Sequence, residues 1–350
     1  MAEWWSAELL DRRDQRIQTL PRVSAGKLSW SIFKAVPGSG SIELTRHPDV
    51  AIDWRRGDRI AVWHHSDETI TPFGVFLPMV SGWEHDGPVS HASIMLADKC
   101  EALNSEIGAW LTYEAGVVVT DTVAAIIRDR GETNLAVTPS TETLRTALSW
   151  EPNATWLQVV NDLLAAINYT SLWVDNTGAF RLQPYLAPAD RPAGPTYGKR
   201  AQGHLPLRKQ FSDDMPTYGL PTGFRVIVPG NDTTPGLIGK ADLPPEHPLS
   251  AQSRGITDWL RTENADAATS QEVADQIAAR RLQEALQVTR RATITHPVDG
   301  TQMNDVVTHG PLAITGPIVQ RDITLGDGSA GAGAVVTDAI RLIYTGGDLP

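Results

Sequence analysis

The sequence predicts an α+β fold that is mainly β, with two related β-domains flanking helical material. Three observations predict it. Short apolar runs that alternate with polar residues fill both ends of the chain, and one amphipathic helix feeding a hairpin stands near the middle. The last β-region also repeats an order found in the first: a small-residue-Asp turn, a short strand, a Gly-started strand, a loop and a further strand. At 350 residues the chain is long for one core, which agrees with two or three domains.

Residues 1–110 read as strands separated by turns. Leu28, Trp30 and Ile32 alternate with Lys27, Ser29 and Ser31; Ile42 and Leu44 follow the Pro37-Gly38-Ser39-Gly40 turn; Ile60 and Val62 follow Arg56-Gly57-Asp58. Val75-Phe76-Leu77 and Ile94-Met95-Leu96 supply two more, and such spacing suggests a sandwich or barrel. Residues 111–205 read as a helical and α/β module. Thr120-Asp121 opens a short helix through Val123, Ala124, Ile126 and Ile127, which Gly131 ends. Trp156, Val159, Val160, Leu163, Leu164 and Ile167 recur at steps of three and four, so a helix over 154–167 carries them on one stripe. Asn153 stands as its N-cap and Asn168 as a left-handed closing residue. A hairpin over 171–183 follows, in which Leu172, Val174, Phe180 and Leu182 alternate around the Asp175-Asn176-Thr177-Gly178 turn. The module reads as a packing unit, because its charges are few and Asp175 and Arg181 fall at turn and strand positions expected to be solvated.

Residues 206–350 read as the second β-domain. The segments 184–206 and 229–248 are rich in Pro and Gly and read as linkers or loops, with a strand at Phe224 to Val228 between them and a Pro-rich loop spanning 229–250. Thr269 and Glu272 match a capping box for a helix over 270–287 that carries Val273, Ala274, Ile277, Ala278, Leu282, Ala285 and Leu286 on one side. Strands return at 292–294, 306–307, 318–325 and 335–344. The echo runs between Gly57-Asp58-Arg59-Ile60 with GVFLPMVSGWEHDGPVSHASIMLAD and Asn304-Asp305-Val306-Val307 with GPIVQRDITLGDGSAGAGAVVTDAIRL. It is a match of pattern with little identity.

Composition removes several classes of function. Cys100 is the only cysteine, so no intrachain disulfide, thiolate-rich metal site or CxxC motif can form. No run approaches the ~18 apolar residues a membrane span needs, and Glu3, Glu8 and Asp11 stand where a secretory signal would be basic and then apolar. The formal charge of −11 disfavours duplex binding, which needs clustered Lys and Arg. His64-His65 with Asp67 and Glu68 offers metal-ligand types, but neighbours on a strand point to opposite faces and do not converge on one ion. His85, Asp86 and His91 flank a Gly-Pro loop and read as a solvated turn. The run Gly326 to Gly331 fits GxGxxG but joins two strands, whereas a dinucleotide site requires a helix to start there. Carboxylate pairs such as Asp213-Asp214, or Glu84 with Asp86, would serve a glycosidase only at a separation that sequence does not fix. No catalytic residue, cofactor or metal site is therefore assigned. Eleven tryptophans is a high count, and Trp4-Trp5, read as part of a short arm, is the pair assigned to a neighbouring subunit.

The stretches GKLSWSIFKAVPGSGSIEL, RRGDRIAVW and FGVFLPMVSGW, the central WLQVVNDLLAAINYTSLWVDNTGAFRLQPY, and the late order of capped helix, TRRATITHP and MNDVV together resemble tail hub proteins. In long-tailed siphophages infecting actinobacteria these are called minor tail proteins, and their hub fold is shared with contractile-tail hubs. The resemblance implies two tail-tube-like β-barrel domains joined by smaller α/β domains, assembled as a homotrimer. Three chains with two barrels each would dock a threefold ring on a sixfold tube. It further implies a non-enzymatic virion protein at the tail tip, partnered by the distal tail protein or tail tube, the tape-measure protein and other tip proteins. DNA would meet it only in transit through the lumen, where an acidic surface avoids sticking. Some hubs carry a C-terminal cell-wall hydrolase; Pro350 follows closely on the last strand, so none is expected here. The competing reading is a cell-wall-acting tail protein, a hydrolase or saccharide-binding module built on the tryptophan-rich first third, with Trp83 and Glu84 as its test residues.

Overall fold

The computed structural model describes residues 4–21, 23–46, 58–66, 69–86, 89–198, 211–213, 219–230, 234–265, 267–286, 290–310, 314–326 and 335–341. The first region contributes β1 (Trp4–Leu10), β2 (Arg16–Thr19), β3 (Val23–Ser31), β4 (Gly38–Arg46), β5 (Arg59–His65), β6 (Ile70–Asp86) and β7 (Val89–Asp98). A 3-10 turn at Lys99–Leu103 leads into the central module: β8 (Leu111–Tyr113), α1 (Val119–Asp129), β9 (Leu135–Val137), β10 (Leu148–Trp150), α2 (Trp156–Ala166), β11 (Trp173–Val174) and β12 (Phe180–Leu182). Then come β13 (Ala193–Tyr197) and β14 (Phe211–Asp213), followed by an inserted unit of β15 (Gly223–Val228), β16 (Leu237–Asp242), α3 (Ala251–Arg254), β17 (Leu260–Asn264) and α4 (Gln271–Leu286). The chain ends in β18 (Arg290–Pro297), β19 (Val306–His309), β20 (Ile314–Leu325) and β21 (Val335–Arg341).

The hydrogen-bonded neighbours reveal a repeat. One half of the large sheet runs β3-β4-β7-β6-β5-β1; the other runs β14-β18-β21-β20 and continues through β19 to β13. Substituting strand for strand, β1, β3, β4, β5, β6 and β7 correspond in chain order to β13, β14, β18, β19, β20 and β21. Three departures mark the copies: β1 lies antiparallel to β5 while β13 lies parallel to β19, β2 is an added strand on β1, and the inserted unit separates β14 from β18.

Each half turns its corner on one long strand. β6 pairs β5 from Ile70 to Phe76 and β7 from Phe76 to Asp86, with a register shift between Pro78 and Val80. β20 pairs β19 from Ile314 to Pro317 and β21 from Ile318 to Thr324, with a shift between Ile318 and Gln320. An unpaired extra residue bends a strand and raises its twist, which lets one strand serve two directions of the sheet. The halves are joined where Gln320–Leu325 of β20 pairs antiparallel with Gly26–Ser31 of β3, giving a single 13-stranded sheet. Leu28 of the first half and Ile323, Leu325 and Val336 of the second share one apolar cluster at this joint. Each such side chain contributes ~1.5–3 kcal/mol on full burial, so ladder and packing both hold the halves together. The fold is therefore mainly β with helices, as expected. Its described strands follow an open path, with no closed barrel among them.

The central module packs α1 and α2 against the β9-β12-β11 sheet around its own core, from Cys100 through Leu182. The expected helix, hairpin and Gly131 stop are present: Asn168 closes α2 at φ 52° and Gly178 turns the hairpin at φ 85°. Several local expectations are corrected. The N-cap of α2 is Thr155, whose hydroxyl accepts from the Gln158 N–H, and Ser270 rather than Thr269 receives the Val273 N–H at the start of α4. Each first turn is preceded by two candidate polar residues, and the one immediately before the helix takes the N–H. Asp175 is not solvated; it is buried, accepts from Thr177 and Ala179, and pairs with Arg181 at 2.6 Å. Strands β13 and β16 lie inside segments read as loops. Trp4 and Trp5 belong to β1 rather than to an arm. The glycine-rich run beyond Gly326 lies outside the described residues.

Candidate functional site

The repeat leaves one joint made and its counterpart unmade. Within the chain, the outer edge of β3 is occupied by Gln320–Leu325 of β20, just past the register shift. The strand equivalent to β3 is β14, whose described pairing is with β18 alone. The stretch equivalent to 320–325 of β20 is 80–85 of β6, again just past its register shift; among the described strands none pairs with it on the side opposite β7. Met79 stands on this edge strand, 52% exposed, and Met95, 55% exposed, lies one strand further in on β7. An unsatisfied strand edge flanked by exposed apolar side chains is a template for pairing with another chain.

Two buried charge clusters fix the pieces around the sheet. In the first, Lys99, wholly buried, donates to Asp14 at 2.7 Å and to the Gly178 carbonyl at 3.0 Å, and lies 3.1 Å from Glu132. Arg59 also binds Glu132. This cluster bolts the β1–β2 hairpin and β5 to the central module. In the second, Arg321 of β20 grips Asp338 of β21 through Nε at 2.7 Å and Nη2 at 2.6 Å, and also binds Thr301. His296 of β18 meets the same carboxylate at 3.0 Å, and the Tyr197 hydroxyl donates to Asp299 at 2.5 Å. Burial opposes a charge on His296, but hydrogen bonds to Asp299 and Asp338 outweigh it and its pKa is pushed up to about 9. Asp299, hydrogen-bonded by His296, Thr301 and Tyr197, is held well below the usual carboxylate range despite burial. A histidine between carboxylates can look catalytic. Here every group is occupied by a neighbour in the same core, and the arrangement is that of a structural ion network.

Between these clusters lies a cavity of about 400 Å³ where five parts of the fold meet. The β3–β4 turn, the central hairpin, the Tyr185–Arg191 connection, α4 and the Gln302–Asn304 loop all contribute to its wall. Arg280 and Arg191 approach the Tyr185 ring at 4.4 and 5.8 Å, and Ile32, Phe33 and Leu186 remain exposed around it. Asp98 also lines it; burial, opposed in part by the Cys100 N–H, raises its pKa to about 6.

The residues singled out in the sequence divide as follows. Trp5 is a core residue, 2% exposed, against His64 and Phe73. Trp4 is 43% exposed and stacks on His65 at 3.7 Å, in a row that continues to exposed Ile70 across β1, β5 and β6. His64 and His65 point to opposite faces as strand alternation requires, and Asp67 and Glu68 lie outside the described residues. Among the described residues no three His, Cys, Asp or Glu gather to hold a metal, and no helix is long and apolar enough to cross a membrane. The side chains of Trp83, Glu84, His85, Asp86 and Asp213, and all of Asp214, lie outside the described set. Cys100 is buried, which pushes its thiol well above its ordinary range. Sequence reasoning missed both charge clusters and the cavity, because their members come from segments far apart in the chain.

No family model matches the sequence, and no curated protein aligns with it. The fold, in contrast, has clear relatives. A tail protein from Neisseria meningitidis superposes with TM-score 0.65 at 12% identity, covering 98% of each chain. The 43 kDa tail protein of prophage MuSo2 from Shewanella oneidensis gives 0.61 at 13% identity, covering 97% of this chain and 98% of that one. The Escherichia coli c3393 protein gives 0.50 at 12% identity over 94% of this chain and 76% of that one; it is a type VI secretion component with structural similarity to the T4 bacteriophage tail proteins gp27 and gp5. The chain thus has the fold of phage and prophage tail proteins.

Proposed function

We propose that this protein is a structural virion component, a homotrimeric hub at the phage tail tip, with no catalytic role. The observation that carries this reading is the doubled strand order with one joint closed inside the chain and the equivalent joint left open. If β14 of one copy pairs antiparallel with residues 80–85 of β6 in the next, the joint that links the two halves of a chain is reproduced between chains. A head-to-tail contact of this kind is heterologous and yields a ring if its rotation closes. Three copies then present six alternating, related lobes, each tube-like, which lets a threefold body seat on a sixfold tail tube. Trp4 lies on the exposed row that a neighbouring copy would cover, whereas Trp5 supports it from the core.

On this reading the ring connects the tail tube or distal tail protein to a threefold tip, receives the end of the tape-measure protein and forms part of the conduit for DNA. The net charge of −11 suits a passage through which phosphate must move without binding. The test is the mass of the purified chain by light scattering, combined with hydrogen exchange. Three copies, with the edge-facing amides of 80–85 and 211–213 protected in the assembly and exchanging in the diluted monomer, are expected. A stable monomer that binds no other tail component overturns the proposal.

A further inference from the structure

The wall of the junction cavity carries four cations, Lys34, Arg191, Arg280 and Arg321, against two carboxylates, Asp98 and Glu284. Glu284 receives Arg280, and Asp98 receives the Cys100 N–H. Arg321 is neutralised by its two-pronged contact with Asp338. Half-buried Arg191 and exposed Lys34 remain without a carboxylate partner among the described residues. Arg191 spends Nε on the Leu186 carbonyl at 3.0 Å and Nη1 on the Asn304 carbonyl at 2.9 Å, and among the described residues no carboxylate forms an ion pair with it. Lys34, on the β3–β4 turn, likewise has no ion-pair partner among the described residues. The indole N–H of Trp173 is buried without a hydrogen-bond partner. Burial, and the like charge of Arg280, lower the pKa of Arg191 against the opposing influence of Tyr185 and Asp305; Asp305 itself accepts from the Gln302 N–H.

A cavity of about 400 Å³ is within the size range of sites that enclose a ligand, ~300–1,000 Å³. Its rings, Trp30, Phe33, Phe73, Trp173 and Tyr185, offer apolar surface, and two cations of its wall, Arg191 and Lys34, have no ion-pair partner among the described residues. We propose that this cavity receives a segment of a partner protein that carries a carboxylate next to an aromatic or aliphatic side chain. The carboxylate sits between Arg191 and Lys34, and the apolar side chain enters against Trp30 and Trp173. A guanidinium that has already spent two of its N–H groups on fixed carbonyls is pre-organised, and a charge-assisted hydrogen bond to it is about twice as strong as a neutral one. Two facts favour a protein segment over other anions. The lining side chains Ile32 and Phe33 are themselves exposed, and exposed Leu186 adds apolar surface outside the cavity, so a small molecule contained in it would leave apolar surface uncovered. The overall charge of −11, and a wall in which two cations, Arg191 and Lys34, lack an ion-pair partner among the described residues, oppose a nucleic acid, whose binding depends on many phosphate contacts. The site lies within one chain and is independent of the ring, so a monomeric preparation keeps it.

Calorimetry on the full chain tests this with two synthetic peptides, acetyl-Leu-Phe-Glu-Leu-Asp-amide and its Gln/Asn counterpart, and with a ten-residue oligothymidylate. The acidic peptide is expected to bind at least tenfold more tightly than the uncharged one, and Arg191→Gln to remove that difference. Lys34→Gln, at a turn residue outside every core, is expected to weaken the acidic peptide about threefold with unchanged circular dichroism and unchanged assembly mass, so the result does not depend on how Arg191→Gln folds. Equal affinity for the two peptides, tighter binding of the oligonucleotide, or no heat from the acidic peptide at millimolar concentration each overturns the proposal.

Discussion

His296 shows how one side chain ties stability to pH. Its pKa in the fold, about 9, lies above the ordinary value of 6.5, so the folded state holds a proton that the unfolded chain releases. The stabilisation is complete below about pH 6.5 and is lost as the pH climbs through 9, amounting to at most roughly 3 kcal/mol. Urea midpoints measured from pH 6 to 10 are expected to fall across that window in the parent chain and to stay nearly flat in His296→Gln. Asp98, with a pKa raised to about 6, is half titrated at the start of that range and withdraws stability from about pH 4 to about 7; parent and His296→Gln share this loss, so the difference between them above pH 7 belongs to His296. Lys99 sets a second case. Lys99→Ala leaves Asp14 and Glu132 sharing Arg59 in a site with almost no water, and a loss of ~3 kcal/mol or more in unfolding free energy is expected. Neither cluster was legible in the sequence. Lys99 and Asp14 stand 85 residues apart, and nothing in a run of single residues announces which cation will meet which carboxylate.

Helices were legible and several strands were not, for a physical reason. α1, α2 and α4 announce themselves by side chains repeating every three to four residues, and that period survives whatever the helix packs against. β16 was hidden by the prolines and glycines around it, and one of those glycines is there because of tertiary contact. A Cβ on Gly239 would lie 2.1 Å from the Ala274 carbonyl oxygen, so α4 rests directly on the β16 backbone. The small side chain that reads as a loop signal is what lets the helix approach. Gly239→Val is therefore expected to push α4 off the sheet and cost ~2–4 kcal/mol, seen as a lower denaturation midpoint and faster exchange of the amides of α4. An unchanged midpoint would show that α4 is held elsewhere.

The doubling of the β-region was visible in the sequence as pattern and absent as identity, and the matched positions explain why. Just past the register shift, Ser81 faces Ile94 in the first half, while the same places in the second half hold Arg321 and Asp338. One copy holds a serine opposite a buried isoleucine there and the other an ion pair, so the fold is retained while the residues diverge. What both copies keep is the corner strand and the joint beyond it, the parts an assembly needs twice. The proposed ring can then be attacked without touching the folding of the single chain. Met79 stands on the edge strand β6 at its register shift and is 52% exposed, so Met79→Asp should change the unfolding free energy of the isolated chain by no more than about 0.5 kcal/mol. In the ring the same aspartate would lie against a neighbouring strand, where burying a charge without a partner costs several kcal/mol. Sedimentation across a concentration series should show trimer for the parent chain and mainly monomer for Met79→Asp at equal concentration. A variant that assembles as tightly as its parent would place the contact between copies somewhere other than this edge.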